Sequence, residues 1–375
     1  MRVIVIGTGI VGASAAYELA KNNVEVVMID RPEDGKATSA GAGIVCPWVS
    51  SVDNEDWYAI AKRVAAFYPQ LIEELKEDGE KHVGYKKVGA LCVSTDIEHL
   101  SMVENSVREK RKSAPEAGEI TRLNVEEAKK LFPPLREDFE AVHISGAARV
   151  DGRLLCEALK RAAVKHGAQL IEGEASLVCE KRKVTGVKVS HDTITGDHVL
   201  ITAGAWAPEL LKPLGITLKV EPQRGQIAHI TLPEEDTSGW PVILPESSHY
   251  MLAFDDSRVV AGATRETGSG FDYRLTAGGV EEVLSEALTV APGLSEGTLQ
   301  EVRIGFRPMG PDNLPIIGQI DSLDQVTLAT GLGASGLTMG PYVGKLAAAL
   351  ATENDPVINL APYDPARVIT ESTKV

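Results

Sequence analysis

The chain opens on an apolar run, a glycine-rich turn and a helix-forming stretch: Val3-Ile4-Val5-Ile6, then Gly7-Thr8-Gly9-Ile10-Val11-Gly12, then residues 13–21. Gly7 permits a sharp turn, Gly9 lets backbone approach a pyrophosphate, and Gly12 lets the helix pack closely on the strand. The helix N-terminus, carrying Ile10 and Val11, then faces the phosphates. A second apolar run over 24–29 ends at Asp30 and Arg31. That is the spacing expected of a carboxylate accepting hydrogen bonds from an adenosine ribose. An acid at this strand end argues against a phosphate on that ribose, and so against NADP. A tight turn in an ordinary α/β domain is the bland alternative, but it leaves the register of strand, helix and acid unexplained.

The length of 375 residues allows roughly two or three domains with an ample core. Thirty-eight basic against 53 acidic side chains give a net charge of −15, which repels nucleic acid backbones and anionic lipid surfaces. Cys46, Cys92, Cys156 and Cys179 are scattered, with no CxxC pair and no histidine cluster. Neither a metal site nor a disulfide framework is expected, and a reducing compartment fits. With the first strand beginning at Val3, no signal peptide is expected, and no apolar stretch reaches membrane-span length. The expectation is a cytoplasmic protein without a transmembrane segment, peripheral attachment to the inner face of a membrane being left open.

Periodicity changes along the chain. A helical stretch over 58–81 gives way near Gly84 to short alternating runs, and residues 98–131 are highly charged with helical apolar spacing up to Phe132-Pro133-Pro134. The α/β pattern returns near Ser145, with a helix over 154–166, strands over 168–171, 175–179 and 184–189, and a buried strand over 198–202. Alternation dominates 219–302 apart from one helix over 276–290, and a strand over 326–330 and a helix over 339–351 close the chain. The expected fold is α/β: a Rossmann-like FAD-binding domain of glutathione-reductase type (1–83, 146–217, 304–375) with an interleaved, mostly antiparallel α+β substrate domain (84–145, 218–303).

Three further loops rich in small residues fall at strand ends, where ligands bind in open α/β sheets. The first runs from Thr38 and Ser39 through Ala42 and Gly43 to Ile44. The second is Thr202-Ala203-Gly204-Ala205-Trp206. The third, Gly331 to Thr338, contains Gly333, Ser335, Gly336 and Leu337 and opens the last helix. A helix N-terminus there can stabilise negative charge gathering on a flavin. Singly each is a plain turn; in this order they read as an FAD cradle.

These motifs resemble the FAD-dependent D-amino acid oxidase superfamily, in the branch that holds D-amino acid dehydrogenases of the small-chain type, glycine oxidase and sarcosine oxidase. The resemblance rests on VIVIGTGIVGASAAYELA from Val3, ATSAGAGIVCPW from Ala37, TAGAW from Thr202, PQRGQ from Pro222, GFRPMGPDNLPIIG from Gly305 and TGLGASGLTMGPYVG from Thr330. It implies that Arg307 holds a substrate carboxylate through a bidentate guanidinium fork and that Tyr250 contacts the same group. On position alone, Arg307 reads equally well as a structural ion pair at a domain seam, and Tyr250 as half-buried packing. Gly305 stands where monomeric sarcosine oxidases carry a flavin-linking cysteine, so FAD is expected to be non-covalent. Leu332-Gly333-Ala334-Ser335 replaces the polar residues of the last loop in glycine oxidase, implying a roomier or less polar pocket.

The function so implied is oxidation of the Cα–N bond of a small amino acid or N-substituted amino acid by hydride transfer to flavin, with sarcosine, glycine or a cyclic imino acid as alternative substrates. The electron acceptor is oxygen or a quinone or carrier. No Ser-His-Asp or Cys-His constellation is evident, and His249 is notable only for adjoining Tyr250. Two rivals remain: an NAD-dependent dehydrogenase, which leaves the later glycine loops unexplained, and a flavin-bound scaffold without turnover.

Overall fold

A computed structural model describes residues 1–371. Its first unit is strand β1 (Arg2–Ile6), helix α1 (Ile10–Lys21) and strand β2 (Glu25–Asp30). Val3, Ile4, Val5 and Ile6 are all buried, as a central parallel strand covered on both faces requires. β1 pairs in parallel with β2 on one side and with His198–Ile201 on the other. Gln169–Glu172 extends the sheet beyond β2, while Leu323–Thr330 adds next to His198–Ile201. With the hairpins beyond, the sheet has nine strands. Because the chain builds outward from β1 through β2 to Gln169–Glu172 and later returns to add His198–Ile201 on the other side, the strand order reverses at β1 and a crevice opens at its C-terminal edge.

α1, the helix Gly152–Lys165 and the helix Gly336–Ala351 share one apolar core with the strands. α1 and the last helix approach closely because Gly344 has no side chain: a Cβ there would lie 2.5 Å from the Val11 carbonyl oxygen. The opposite face of the sheet is covered by a second cluster that includes Ile4, Ile6, Val27 and Ile29.

An eight-stranded sheet runs in the order Thr298–Met309, Glu221–Thr231, Arg258–Gly262, Tyr250–Ala253, Val242–Pro245, Ala90–Ser94, Glu140–Ile144, Ile120–Leu123. All its pairings are antiparallel except that of Val242–Pro245 with Ala90–Ser94. Thr298–Met309 pairs with Glu221–Thr231 along its whole length, so the boundary expected at residue 304 falls inside a continuous strand.

The charged stretch 98–131 departs from a single helical reading. The helix Ile97–Arg111 ends, the strand Ile120–Leu123 pairs with Glu140–Ile144, and a second helix, Val125–Leu131, follows. Pro115 and Gly118, the latter at φ +70°, break the first helix. Asn124 and Glu127 form a reciprocal capping box that starts the second. Among the described residues no helix is long and apolar enough to cross a membrane.

Candidate active site

A cavity of about 780 Å³ lies at the C-terminal edge of β1 and extends to the eight-stranded sheet. At its nucleotide end Gly7 adopts φ +88°, open to glycine without strain, and its amide donates to the Ile29 carbonyl at 2.8 Å. Thr202 Oγ1 donates to the Gly7 carbonyl at 2.6 Å, so the TAGAW segment clamps the turn. Gly12 packs directly behind: a Cβ there would sit 2.0 Å from the Gly7 oxygen and 2.5 Å from Thr202 Oγ1.

The N-cap residue of α1, Gly9, supplies no capping side chain, and no acid lies in the first turn. The Ile10 amide is taken by Thr38 Oγ1 at 3.0 Å, which ties the small-residue loop to the helix. The last helix likewise begins at Gly336 with no side-chain cap and no acid in its first turn. Uncapped helix starts at a cavity wall are suited to anions. Carbons added at Gly204 or Gly336 would meet no protein atom within 4 Å, although both glycines line the cavity. The space beside them is open in the protein and shaped for a ligand, so the residues present fit a flavin dinucleotide.

Asp30 Oδ2 accepts from Thr8 Oγ1 at 2.7 Å and from Lys36 Nζ at 2.8 Å, which fixes the carboxylate and leaves Oδ1 to accept from a ribose hydroxyl. Arg31 pairs with Glu33 at 2.8 Å and Glu174 at 2.9 Å, and its guanidinium lies 5.7 Å from the Trp206 ring centroid. Trp206 stacks on Phe271 at 5.0 Å, and Phe306 meets both rings edge-on. Tyr273 Oη donates to Glu33 Oε1 at 2.6 Å; burial and this acid push the phenol up to about 12.

Gly7, Gly9, Ile10, Val11, Asp30, Arg31, Thr38, Ala42, Gly43, Ile44, Gly204, Trp206, Gly305, Gly333, Gly336, Leu337 and Thr338 all line the cavity, as do Tyr250 and Arg307. Gly12, Ser39 and Ser335 lie off its wall. Gly12 serves packing, the Ser39 carbonyl accepts from Arg153 Nε at 3.1 Å, and the Ser335 amide donates to the Leu332 carbonyl at 2.9 Å. His249 also lies off the wall, facing Glu282 and Glu286 at 3.4 and 3.7 Å.

At the other end, Arg307 projects from Thr298–Met309 opposite Gln223 in the sheet register. Its Nη1 donates to Gln223 Oε1 at 3.1 Å and to the Thr264 carbonyl at 2.9 Å. Both hydrogen-bond acceptors are neutral, and among the described residues no carboxylate forms a salt bridge with Arg307, Glu266 acting on its charge only through space. Gly225 makes room for it, since a Cβ there would come 2.7 Å from Nη2. Burial, and with it the repulsion of Arg265, pulls the guanidinium below its ordinary value, while Tyr250 pulls it back up. Burial raises the Tyr250 phenol, against the lowering pull of Arg307 and Arg265. The acids on the cavity wall are Asp30, Glu33, Glu174 and Glu209, all on the nucleotide side. Gly225 and Arg265 were missed by sequence reasoning. PQRGQ carried a signal for the first, whereas nothing local marked Arg265.

No cysteine or histidine among the described residues lines this cavity. Cys92 and Cys156 are buried, which pushes both thiols up to about 12. Gly305, standing where a linking cysteine would be, abuts Ala40. Acid precipitation should therefore release the yellow chromophore into the supernatant, measured at 450 nm. Colour kept by the pellet would refute a non-covalent cofactor.

A dinucleotide crevice that reaches a guanidinium anchored by neutral acceptors suits a flavin-dependent oxidoreductase. The chain belongs to the family described as FAD dependent oxidoreductase (DAO), whose sequence pattern matches residues 2–350. It is 51% identical over 364 residues to the uncharacterized oxidoreductase YurR of Bacillus subtilis, covering 97% of this chain and 98% of that protein. It is 32% identical over 377 residues to glycine oxidase of Pseudomonas aeruginosa, at 97% and 98% coverage. The crystal structure of iminodiacetate oxidase (IdaA) from Chelativorans sp. BNC1 superposes with a TM-score of 0.95 at 50% identity, covering 97% of this chain and 99% of that one. The cofactor is FAD, and the NAD-dependent rival is set aside.

Proposed function

We propose that this protein oxidises the Cα–N bond of a small amino acid whose amine is primary or N-substituted, and that Arg307 and Tyr250 hold its carboxylate. The observation that carries the reading is the anchoring of Arg307 by neutral acceptors, on a stretch of wall without an acid. A cation so placed is left for an anion, and the guanidinium fork can grip both carboxylate oxygens and thereby orient Cα. Relatives named for glycine and for iminodiacetate share an amine on a carboxymethyl carbon, which supports this substrate class.

Held by the Gly7–Gly9 turn, Asp30 and the small-residue loops, FAD would supply the acceptor for the Cα hydrogen and its electron pair. The chain's own part is positioning: Arg307 and Tyr250 fix the carboxylate, and apolar Leu332, Gly333 and Ala334 leave the facing wall without competing charge. Hydride transfer requires the amine in its neutral form, and no histidine or carboxylate among the described residues lines this end of the cavity. As the C–H bond breaks, a C=N bond forms; water adds to that carbon and the C–N bond breaks. An α-keto acid, the parted amine and a proton result.

The test is anaerobic bleaching of the bound flavin by glycine, sarcosine, iminodiacetate, D- and L-proline and panels of D- and L-amino acids, followed by air. Bleaching by carboxymethyl amines is expected, and the speed of recovery in air separates oxygen from another acceptor. A flavin that none of these bleaches would overturn the reading in favour of a scaffold.

A further inference from the structure

Arg307 Nη1 has two acceptors, Gln223 Oε1 and the Thr264 carbonyl, and both are set by one short segment, residues 264–267. Thr264 is fully buried; its amide donates to the Gln226 carbonyl at 3.2 Å and its Oγ1 accepts from the Gln226 amide at 2.9 Å. Gln223 Nε2 donates to Thr267 Oγ1 at 3.0 Å, which turns the Gln223 oxygen toward Arg307. Glu266 stands between these two supports. Its Oε1 accepts from Thr264 Oγ1 and from Gln226 Nε2, each at 2.7 Å, and its Oε2 accepts from Arg224 Nε at 2.9 Å and also from Arg224 Nη2. Arg224 bonds the carbonyls of Asp272 and Arg274 at 3.1 and 2.9 Å, so the carboxylate is tied to a braced loop. Burial works to raise the Glu266 carboxyl, but the bonds from Arg224, Gln226 and Thr264 outweigh it and hold the group below the ordinary carboxylate range. With four donors on its two oxygens, the acid stays ionised yet has no lone pair left for Arg307.

We propose that Glu266 is a positioning residue for the carboxylate site: through Thr264 and the strand edge at Arg224 it fixes the acceptors of Nη1, and because it is saturated it leaves the guanidinium to the substrate. This rests on the reading of Arg307 as the holder of the substrate carboxylate. Glu266 itself lies off the cavity wall, so it acts through its neighbours. Two effects of the acid oppose each other. Its charge attracts the guanidinium through space and so competes with an incoming anion. Its bonds hold the fork in one orientation, which lowers the entropy lost when a carboxylate docks. Removing the charge alone would tighten carboxylate binding, whereas removing the support weakens it. The sign of the change therefore tells which effect governs.

The test uses the FAD-loaded protein with (methylthio)acetate and its neutral counterpart (methylthio)acetamide, dissociation constants being read from perturbation of the flavin's absorption. The wild type should prefer the carboxylate about tenfold or more. Glu266→Gln keeps the shape but sets an amide hydrogen against a donor, and it should weaken the carboxylate about tenfold while leaving the amide unchanged. Should Glu266→Gln not fold, Thr264→Val keeps the acid and its pair with Arg224 and should show the same selective loss at about threefold. In an Arg307→Gln background, Glu266→Gln should add nothing. Carboxylate binding that is unchanged or tighter in Glu266→Gln, equal weakening of both ligands, or a full effect persisting without Arg307 would overturn the positioning role. Failure of the Arg307 reading shows elsewhere, as an Arg307→Gln variant that keeps the wild-type preference for the carboxylate over the amide.

Discussion

Arg307→Lys raises KM for the amino acid substrate on the order of tenfold to a hundredfold and lowers kcat about tenfold, with flavin content unchanged. The ammonium keeps the charge but presents one point of attachment where the guanidinium presents a planar fork, so the carboxylate can pivot and Cα loses its alignment. Lysine also gives up the bonds from Nη1 to Gln223 Oε1 and the Thr264 carbonyl, which hold the cation in place. Loss of a two-point grip weakens ground-state binding, and loss of alignment lowers the rate of the bound complex, so both constants move. Steady-state kinetics and the ratio of absorbance at 450 and 280 nm decide the matter. Kinetics equal to the wild type would remove Arg307 from the site.

Gly12→Ala lowers stability by on the order of 3 kcal/mol and abolishes flavin retention. The new carbon would stand 2.0 Å from the Gly7 carbonyl oxygen and 2.5 Å from Thr202 Oγ1, against backbone on one side and the hydroxyl that clamps the turn on the other. Neither can move without shifting α1 away from β1 and opening the phosphate turn. Gly336→Leu provides the contrast. A carbon on Gly336 meets nothing within 4 Å and its backbone is helical, so the flavin-free protein should melt as the wild type does while flavin occupancy falls. Thermal melts of flavin-free protein together with flavin-to-protein ratios distinguish the two. A Gly12→Ala variant that keeps its flavin and its melting temperature would show that the close approach is not tight in solution.

The nucleotide end was legible because its determinants are contiguous. β1, the glycine turn, α1 and Asp30 fall within thirty residues, and each acts through local backbone shape or a fixed spacing. The small-residue loops at Thr38, Gly204 and Gly333 could be read for the same reason. Residues 98–131 misled because charged side chains at helical spacing masked Ile120, whose partner Ile144 lies beyond a further helix and the Pro133-Pro134 turn. Helical periodicity describes a face, whereas strand pairing depends on a partner that no local window contains.

The sequence by itself determined that a glycine turn, a helix start and an acid meet at the end of a parallel sheet, and the family motifs marked the arginine at 307 as an expected site residue. Tertiary structure alone decided what surrounds that arginine. Gln223 faces it through strand register, Gly225 vacates its space, and Arg265 arrives from a loop braced by Arg224. Register is set by the whole pattern of buried and exposed faces across the sheet. Whether a cation is paired or free depends on where every nearby acid has been taken. Glu266, adjacent to Arg265 in the chain, is held by Arg224, Gln226 and Thr264, and only the folded arrangement of those residues leaves Arg265 uncompensated at the cavity.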